Sequence, residues 1–408
     1  MTESPPITLL RHRPYVRFVY ARIAASVALQ MNAVAVGWEM YALTGSAFDL
    51  GLVGLVQFVP IIVLFLLTGH AADRYDRRIV TWLAQICSAF GAATLAVASA
   101  GGWLTPGLIL AMVFFVGVGR AFEQPSLQSL LPNIVPPAQL SRAIAGSTSA
   151  AQIAIVAGPA LGGVLIALSP TLVFAACALL WISSGFLIRR VAMQRQAIKR
   201  EPLDLKLLFG GLVFIRDHPV VLGSILLDLF AVLLGNATAL LPIFARDVFM
   251  VGPLGFGVLR AAPAAGALFT ALVLARWPIT GHVGRVMFLA VAVFGAGTTL
   301  LALSPHFLLA MGAMGLVGAG DTVSVVIRQT LVQLHTPDAM RGRVYAVNTM
   351  FTGTANQLGD FRAGATAAWL GAIPAVLIGG LSTLAVVAIS TRIFRELYRA
   401  DTYEPVKR

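Results

Sequence analysis

The chain has 408 residues, of which 58% are hydrophobic and only 11% are charged, whereas an ordinary soluble domain carries about a quarter charged residues. This composition excludes a soluble globular fold, because so much apolar surface could not be hidden from water, and it predicts a solvent that is largely lipid. The net charge of +12 does not indicate nucleic-acid binding, since the basic residues stand at the ends of apolar runs and form no basic-aromatic face.

Twelve apolar segments follow one another along the chain, each with about the twenty residues that a helix needs to cross a bilayer. They are residues 17–43, 48–72, 79–100, 106–130, 140–168, 170–190, 219–245, 254–277, 284–304, 307–334, 344–369 and 373–394. We therefore expect an all-α membrane protein of twelve transmembrane helices in two six-helix halves.

The distribution of basic residues predicts the orientation of these crossings in the membrane. Arginines gather in the two tails and in the even-numbered gaps, while the odd-numbered gaps hold Arg246 and little else. The positive-inside rule then predicts that both termini are cytoplasmic. The expected domains are a tail (1–16), a six-helix half (17–190), a basic linker (191–218), a second half (219–396) and a tail (397–408).

The linker contains a candidate helix at the membrane surface. Its apolar residues recur at helical spacing and predict one apolar face, which comprises Leu203, Leu207, Leu208, Leu212 and Ile215.

An internal repeat supports two halves of like orientation. Residues 137–142, Pro-Ala-Gln-Leu-Ser-Arg, resemble residues 337–342, Pro-Asp-Ala-Met-Arg-Gly. Parallel repeats of this kind are typical of transporters, which bind their substrates at the repeat interface near the middle of the membrane.

Polar side chains form stripes on three of the crossings. The stripes have helical spacing and consist of Arg22, Ser26 and Gln30, of Asp321, Ser324 and Arg328, and of Asn348, Thr352, Asn356 and Asp360. We interpret them as the lining of a water-filled path, with Arg22, Gln30, Ser324, Arg328, Asn348, Thr352 and Asn356 as substrate-cavity candidates. An alternative for Arg22 is that it extends to the membrane surface.

Carboxylates inside crossings are costly and are candidates to carry a proton. The four candidates are Asp228, Asp321, Asp360 and Glu123. Asp321 and Arg328 could equally form a static ion pair that fixes helix packing, whereas Asp228 has no cation near it in the sequence. Glu123 and Arg120 favour a gate or a structural network.

Two short motifs carry a family resemblance. Gly69, Ala72, Asp73, Arg74 and Arg77 match the loop signature Gly-x-Leu-Ala-Asp-Arg-x-Gly-Arg-Lys, with Asp76 in place of the second Gly. Residues 154–163 resemble the antiporter motif Gly-x-x-x-Gly-Pro-x-x-Gly-Gly, with Ala154 at its first position and Gly158-Pro159 at its centre. The chain thus resembles the major facilitator superfamily.

Residues 43–46, 72–78 and 336–344 resemble the subgroup that contains the enterobactin exporter and macrolide efflux proteins. Residues 346–348 and 356–359 strengthen the resemblance to the enterobactin-exporter branch, whereas Asp360-Phe361-Arg362 departs from the Glu-Phe-Glu of that branch. The resemblance implies export of a small molecule across the bacterial cytoplasmic membrane, driven by proton re-entry. The alternatives are broad drug or macrolide efflux, import of a solute, and a lipid-moving or receptor-like protein on the same fold.

We assign Gly69, Asp73, Arg74, Arg77, Arg120, Gly158 and Pro159 to conformational gating. The six histidines and two cysteines show no metal spacing, and no nucleophile, base and orienting group stand together, so we expect no metal, no cofactor and no enzymatic activity. We expect a monomer in the lipid bilayer whose partners are a small molecule and protons.

Overall fold

The computed structural model describes residues 9–64, 67–68, 71, 74–193 and 205–403. The described part of the chain is almost wholly helical and contains no β-strand. Its longer helices are α1 (Arg13–Thr44), α2 (Ala47–Val63), α3 (Arg77–Gly101), α4 (Pro106–Leu130), α5 (Leu140–Leu168), α6 (Pro170–Arg189), α7 (Leu205–Asp217), α8 (Pro219–Gly235), α9 (Gly252–Arg276), α10 (Val283–Leu303), α11 (Phe307–His335), α12 (Asp338–Leu370) and α13 (Ala372–Ile393).

Ten helical segments of the described chain are long and apolar enough to cross a membrane. Two predicted crossings are not among these ten. The described part of α2 is apolar but has only 17 residues, and α12 has 33 residues but carries the polar stripe of the eleventh crossing, which lowers its hydropathy. The helices confirm the predicted all-α membrane class.

The chain divides into two compact units, of which the first comprises residues 1–43 and 56–203. In this unit α3 packs against α4 and α6. Helix α3 begins at Arg77 because the Asp76 side chain accepts a hydrogen bond from the Arg78 backbone N–H. It ends at Gly102, whose φ of 71° is in the left-handed region that favours glycine.

The second unit comprises residues 44–55 and 204–408. In it α10 packs against α11 and α13, α9 packs against α11, and α8 packs against α12 and α13. Small residues make these approaches possible, as expected for helices packed in lipid. A Cβ atom added at Gly266 of α9 would overlap the Gly315 carbonyl of α11.

The first residues of α2 belong to this second unit. A Cβ atom at Gly51 would lie 3.0 Å from the Phe361 carbonyl oxygen of α12. The Phe48 ring meets the Phe361 ring edge-on, with 5.9 Å between the ring centroids. The predicted domain limits did not anticipate this assignment, and they stay predictions.

The seventh predicted crossing lies within an apolar segment long enough to span a membrane, Pro219–Val248, but its helix is interrupted. Helix α8 ends at Gly235, Asn236 is extended with φ −66° and ψ 125°, and the chain resumes as a 3₁₀ turn at Thr238–Leu240. A short helical turn and a π-helical turn, Phe244–Val248, follow. Gly and Asn are weak helix formers, and Pro242 has no N–H to donate, so the sequence favours a break here.

The linker helix α7 packs on α12 through one narrow face. A Cβ atom at Gly211 would lie 2.9 Å from the Arg343 carbonyl oxygen, and Ile215 is 2% exposed in a cluster with Val344. Leu212 is at the edge of this contact and is 41% exposed. The other predicted members of the face, Leu203, Leu207 and Leu208, lie outside the residues whose side chains are described, as do positions 1–8, 194–204 and 404–408.

Candidate coupling site

Arg328 of α11 is the centre of a polar cluster in the second unit. Its side chain is buried, and its Nη2 atom lies 3.2 Å from Asp228 Oδ2 of α8. Its Nη1 atom donates to Asn348 Oδ1 at 2.7 Å and to Thr352 Oγ1 at 2.8 Å, both on α12. A buried guanidinium needs such partners, so this one side chain joins three helices.

Asp228 is the ion-pair partner of Arg328, and the hypothesis that Asp321 has this role is wrong. Asp321 precedes Arg328 by seven residues, which is roughly 10 Å along a helix axis. Among the described residues no cation lies within 4.0 Å of the Asp321 carboxylate. Asp228, on a facing helix, accepts a second hydrogen bond from Ser324 Oγ at 3.2 Å.

Both carboxylates face a small cavity inside the second unit. Its volume is about 10 Å³, roughly the room for one water molecule. The lining residues are Asp228, Ala231, Val232, Val291, Phe294, Gly320, Asp321 and Ser324. The cavity therefore combines apolar walls with one acidic end and has room for about one water molecule.

The charges of this cluster do not balance. Asp228 pairs with Arg328, and Asp321 lines the same cavity without a described cation within 4.0 Å, so the fully ionised set carries one excess negative charge. An unpaired buried charge is expensive, and a single proton on either aspartate would neutralise the set.

The polar residues of α12 make contacts at two separate places, at Arg328 and at the break after α8. Asn348 and Thr352 contact Arg328, as described above. Asn356 is exposed and donates to the Thr352 carbonyl oxygen at 2.9 Å. Asp360, eight residues after Thr352 on α12, accepts from the Ala239 backbone N–H at 3.1 Å, beside the break after α8.

The predicted residues of the first unit contact helix α5. Arg22 Nη1 donates to Ser147 Oγ at 2.6 Å, so this side chain is engaged within the unit instead of extending alone to a membrane surface. A Cβ atom at Gly158 would lie 2.6 Å from Gln30 Cβ. The buried Gly158-Pro159 pair is thus a close-packing position between α1 and α5.

Glu123 of α4 is bound by a neutral partner. Gln85 of α3 is fully buried and donates from Nε2 to Glu123 Oε1 at 2.8 Å. Arg120 forms no ion pair within 4.0 Å with a described carboxylate. These contacts favour the structural interpretation of Glu123.

The charged loop before α3 is described only in part. Gly69 and Asp73 lie outside the described residues. Arg74 is exposed, and Arg77 Nη1 donates to the Ser129 carbonyl oxygen at 3.1 Å. Asp76 forms a 2.6 Å ion pair with Arg78, and hydrogen bonds from the Arg78 side chain hold the pKa of Asp76 below its usual value.

Three polar residues inside or between crossings were missed from the sequence, and Arg362 was noticed only as a departure from a family motif. Arg260 lies within α9, Asn236 stands at the break, and Glu39 is a partly buried carboxylate on α1. Their signal was available, because any ionisable residue within an apolar run marks a functional or packing position.

A family model described as "Transmembrane secretion effector" matches residues 4–406. The chain belongs to the major facilitator superfamily. Members of this superfamily are transporters of small molecules and not enzymes. The predicted superfamily and the prediction that the protein is not an enzyme are both confirmed. Together with its apolar helices, this membership makes the protein a multi-pass transporter of the bacterial inner membrane.

Relatives match over nearly the whole chain. The enterobactin exporter EntS of Citrobacter koseri is 27% identical over 414 residues, which cover 98% of this chain and 96% of that protein. The uncharacterised transporter YfiS of Bacillus subtilis is 26% identical over 392 residues, 89% of this chain and 88% of that protein.

Solved structures share the fold. A variant of the nucleoside transporter NupG has a TM-score of 0.77 at 12% identity, covering 93% of this chain and 100% of that chain. A bacterial homologue of the iron transporter ferroportin has a TM-score of 0.70 at 17% identity, covering 95% and 99%. At these identities the likeness concerns the fold alone.

Proposed function

We propose that this transporter exports a small molecule from the cytoplasm in exchange for protons, with Asp228, Asp321 and Arg328 as the coupling site. The observation that carries the proposal is the cluster itself: Asp228 pairs with Arg328, and Asp321 faces the same small cavity without a described cation within 4.0 Å. A carboxylate without its own cation in a low-dielectric setting is costly in its charged form, and binding a proton removes that cost.

A proton can be linked to helix packing through Arg328. Protonation of Asp228 removes the negative charge that attracts the guanidinium toward α8. Arg328 keeps its two uncharged acceptors, Asn348 and Thr352, on α12. Proton binding therefore weakens the α8–α11 contact while it spares the α11–α12 contact. We propose that this bias drives alternating access to a central site.

The proposed substrate is a small anionic or amphipathic compound of the catechol siderophore type. Support comes from the enterobactin exporters that align with nearly the whole chain. Macrolide or broad drug efflux is the alternative within the same mechanism.

We further propose that both termini are cytoplasmic, because arginines gather in the tails and even-numbered gaps. A reporter enzyme that is active only in the cytoplasm, fused after Arg408, should be active. Activity of a periplasmic reporter at the same position would contradict this orientation.

The exchange can be tested with purified protein in lipid vesicles that enclose a pH-sensitive dye. Enterobactin, a macrolide and a nucleoside are added under an imposed pH gradient. We expect proton movement that depends on enterobactin, opposite in direction to its transport. Movement driven only by the macrolide would favour the alternative substrate. Enterobactin or macrolide transport without proton movement would overturn proton exchange.

A further inference from the structure

The break in the seventh crossing leaves backbone groups that a continuous helix would have paired. Helix α8 ends at Gly235, and the next turn starts at Thr238. The last carbonyls before a helix end and the first N–H groups after a helix start have no intrahelical partner. In a membrane protein each such group must find a partner within the protein.

Arg362 of α12 supplies donors to the carbonyl end of the break. Its Nε atom donates to the Leu233 carbonyl oxygen at 3.0 Å, and its Nη2 atom donates to the Asn236 carbonyl oxygen at 3.3 Å. A cation is favoured at this end of a helix, because the carbonyls carry the negative pole of the helix dipole.

Asp360, two residues earlier on α12, supplies the acceptor for the other end. Its Oδ1 atom accepts from the Ala239 backbone N–H at 3.1 Å and from Asn236 Nδ2 at 3.1 Å. Asn236 Oδ1 accepts in turn from the Thr238 N–H at 3.0 Å. A carboxylate suits this position because one oxygen can accept from both donors at once.

Glycines allow the neighbouring helices to come this close to the break. A Cβ atom at Gly359 of α12 would lie 3.0 Å from the Val232 carbonyl oxygen. At Gly379 of α13 a Cβ atom would lie 2.8 Å from the Leu234 carbonyl oxygen and 3.3 Å from Arg362 Nη2. Helices α12 and α13 therefore both pack closely against the end of α8 at the break.

The contacts of Asp360 differ from those of Asp228. Asp360 accepts from two neutral donors, the Ala239 backbone N–H and Asn236 Nδ2, and among the described residues no cation lies within 4.0 Å of its carboxylate, whereas Asp228 is paired with Arg328. Both donors to Asp360 belong to the break, so its carboxylate is committed to holding this backbone geometry.

We propose that Asp360 and Arg362 form a clamp that holds the two segments of the seventh crossing in their broken arrangement. In this assignment Asp360 is a positioning residue and does not carry the coupling proton. The clamp holds the C-terminal end of α8, the helix that presents Asp228 two turns earlier to Arg328. Only the transport part of the test rests on the proposed function.

The test compares two substitutions of one side chain. Asp360→Asn keeps an acceptor oxygen for Ala239 and Asn236 but cannot titrate, whereas Asp360→Ala removes the acceptor. We expect the Asn variant to unfold within a few degrees of the native protein in detergent, and the Ala variant to unfold at clearly lower temperature. In vesicles, the Asn variant should keep the native dependence of transport on pH.

A control separates the clamp from the proton site. Asp228→Asn makes the same chemical change within the coupling cluster and should alter the pH profile. If Asp360→Asn alters the pH profile as Asp228→Asn does, or if the Asn and Ala variants lose the same stability, the clamp is overturned. If the native protein moves no protons at all, the proposed function fails, while the comparison of unfolding temperatures still decides the clamp.

A second pair of variants tests Arg362. Arg362→Lys keeps a cationic donor that can reach a single carbonyl, and Arg362→Met keeps only the length of the side chain. We expect the Lys variant to retain part of the stability that the Met variant loses. Equal stability of the Met variant and the native protein would contradict the role of Arg362.

Discussion

The guanidinium of Arg328 lies 3.2 Å from the carboxylate of Asp228, and both side chains are at most 5% exposed. This pair joins α8 to α11 across a hundred residues of sequence. Loss of one partner leaves the other as an uncompensated buried charge, which costs about 3–5 kcal/mol. Loss of both partners removes that penalty.

The pair can therefore be examined by a double-mutant cycle. We expect Arg328→Met to destabilise the protein strongly in detergent and Asp228→Asn to destabilise it less. The double variant should be more stable than the sum of the two losses predicts, by about 1–3 kcal/mol. Asp321→Asn is the matched control, because Asp321 has no described cation within 4.0 Å. Additive losses would mean that the pair does not interact.

Tight packing at Gly158 leads to a second prediction. A Cβ atom at this position would lie 2.6 Å from Gln30 Cβ, so Gly158→Val should push α1 and α5 apart at a cost of about 1–3 kcal/mol. Gly312 of α11 is exposed and has no atom within 4 Å of its Cβ position. Gly312→Ala should therefore be neutral or stabilising, and equal losses in the two variants would contradict the packing argument. The unfolding temperature in detergent is the measurement.

The cap of α3 gives a prediction that depends on pH. Asp76 accepts from the Arg78 backbone N–H, and Asp76→Ala should cost about 1 kcal/mol. The pKa of Asp76 is lowered by the Arg78 hydrogen bonds, so its contribution to stability is present at neutral pH. The contribution is lost as the pH falls below about 4 and through the lowered folded-state pKa.

A pH series of unfolding temperatures checks the sign of this effect. The difference between the native protein and Asp76→Ala should be largest near pH 7 and should shrink toward pH 3. A difference that grows as the pH falls would contradict the assigned cause.

Glu123 provides a negative test of the coupling assignment. The contact from Gln85 Nε2 to Glu123 Oε1 is 2.8 Å, and Glu123→Gln preserves an acceptor oxygen at that position. We expect this variant to keep the pH dependence of transport. Gln85→Leu should instead lower the unfolding temperature, because it leaves the carboxylate without its donor. Loss of proton coupling in Glu123→Gln would move the coupling site to the first unit.

Helical spacing predicted part of the candidate site but not its pairing. The spacing of Asp321, Ser324 and Arg328 placed them on one helix face, and the four-residue repeat did the same for Asn348 and Thr352. The partner of Arg328 is on another helix, however, and the rotation of one helix against another depends on side-chain packing that a single sequence does not specify.

The break at Asn236 shows what hydropathy alone does not predict. Hydropathy detects the length of an apolar run but not whether its backbone is continuous, so residues 219–245 were predicted as one helix. Gly235-Asn236 followed by Pro242 was a local signal for the break. Arg362 was noticed only as a departure from a family motif, although a charge within an apolar run signals a structural or functional role by itself.

The most direct test of proton exchange through the Arg328 cluster is proton release on substrate binding. Enterobactin, or the compound found active in vesicles, is added to detergent-purified protein in weakly buffered solution, and the pH change is recorded for the native protein, Asp228→Asn and Asp321→Asn. We predict release by the native protein, and reduced or absent release by at least one variant that still binds the compound. Equal release by all three proteins would contradict the account.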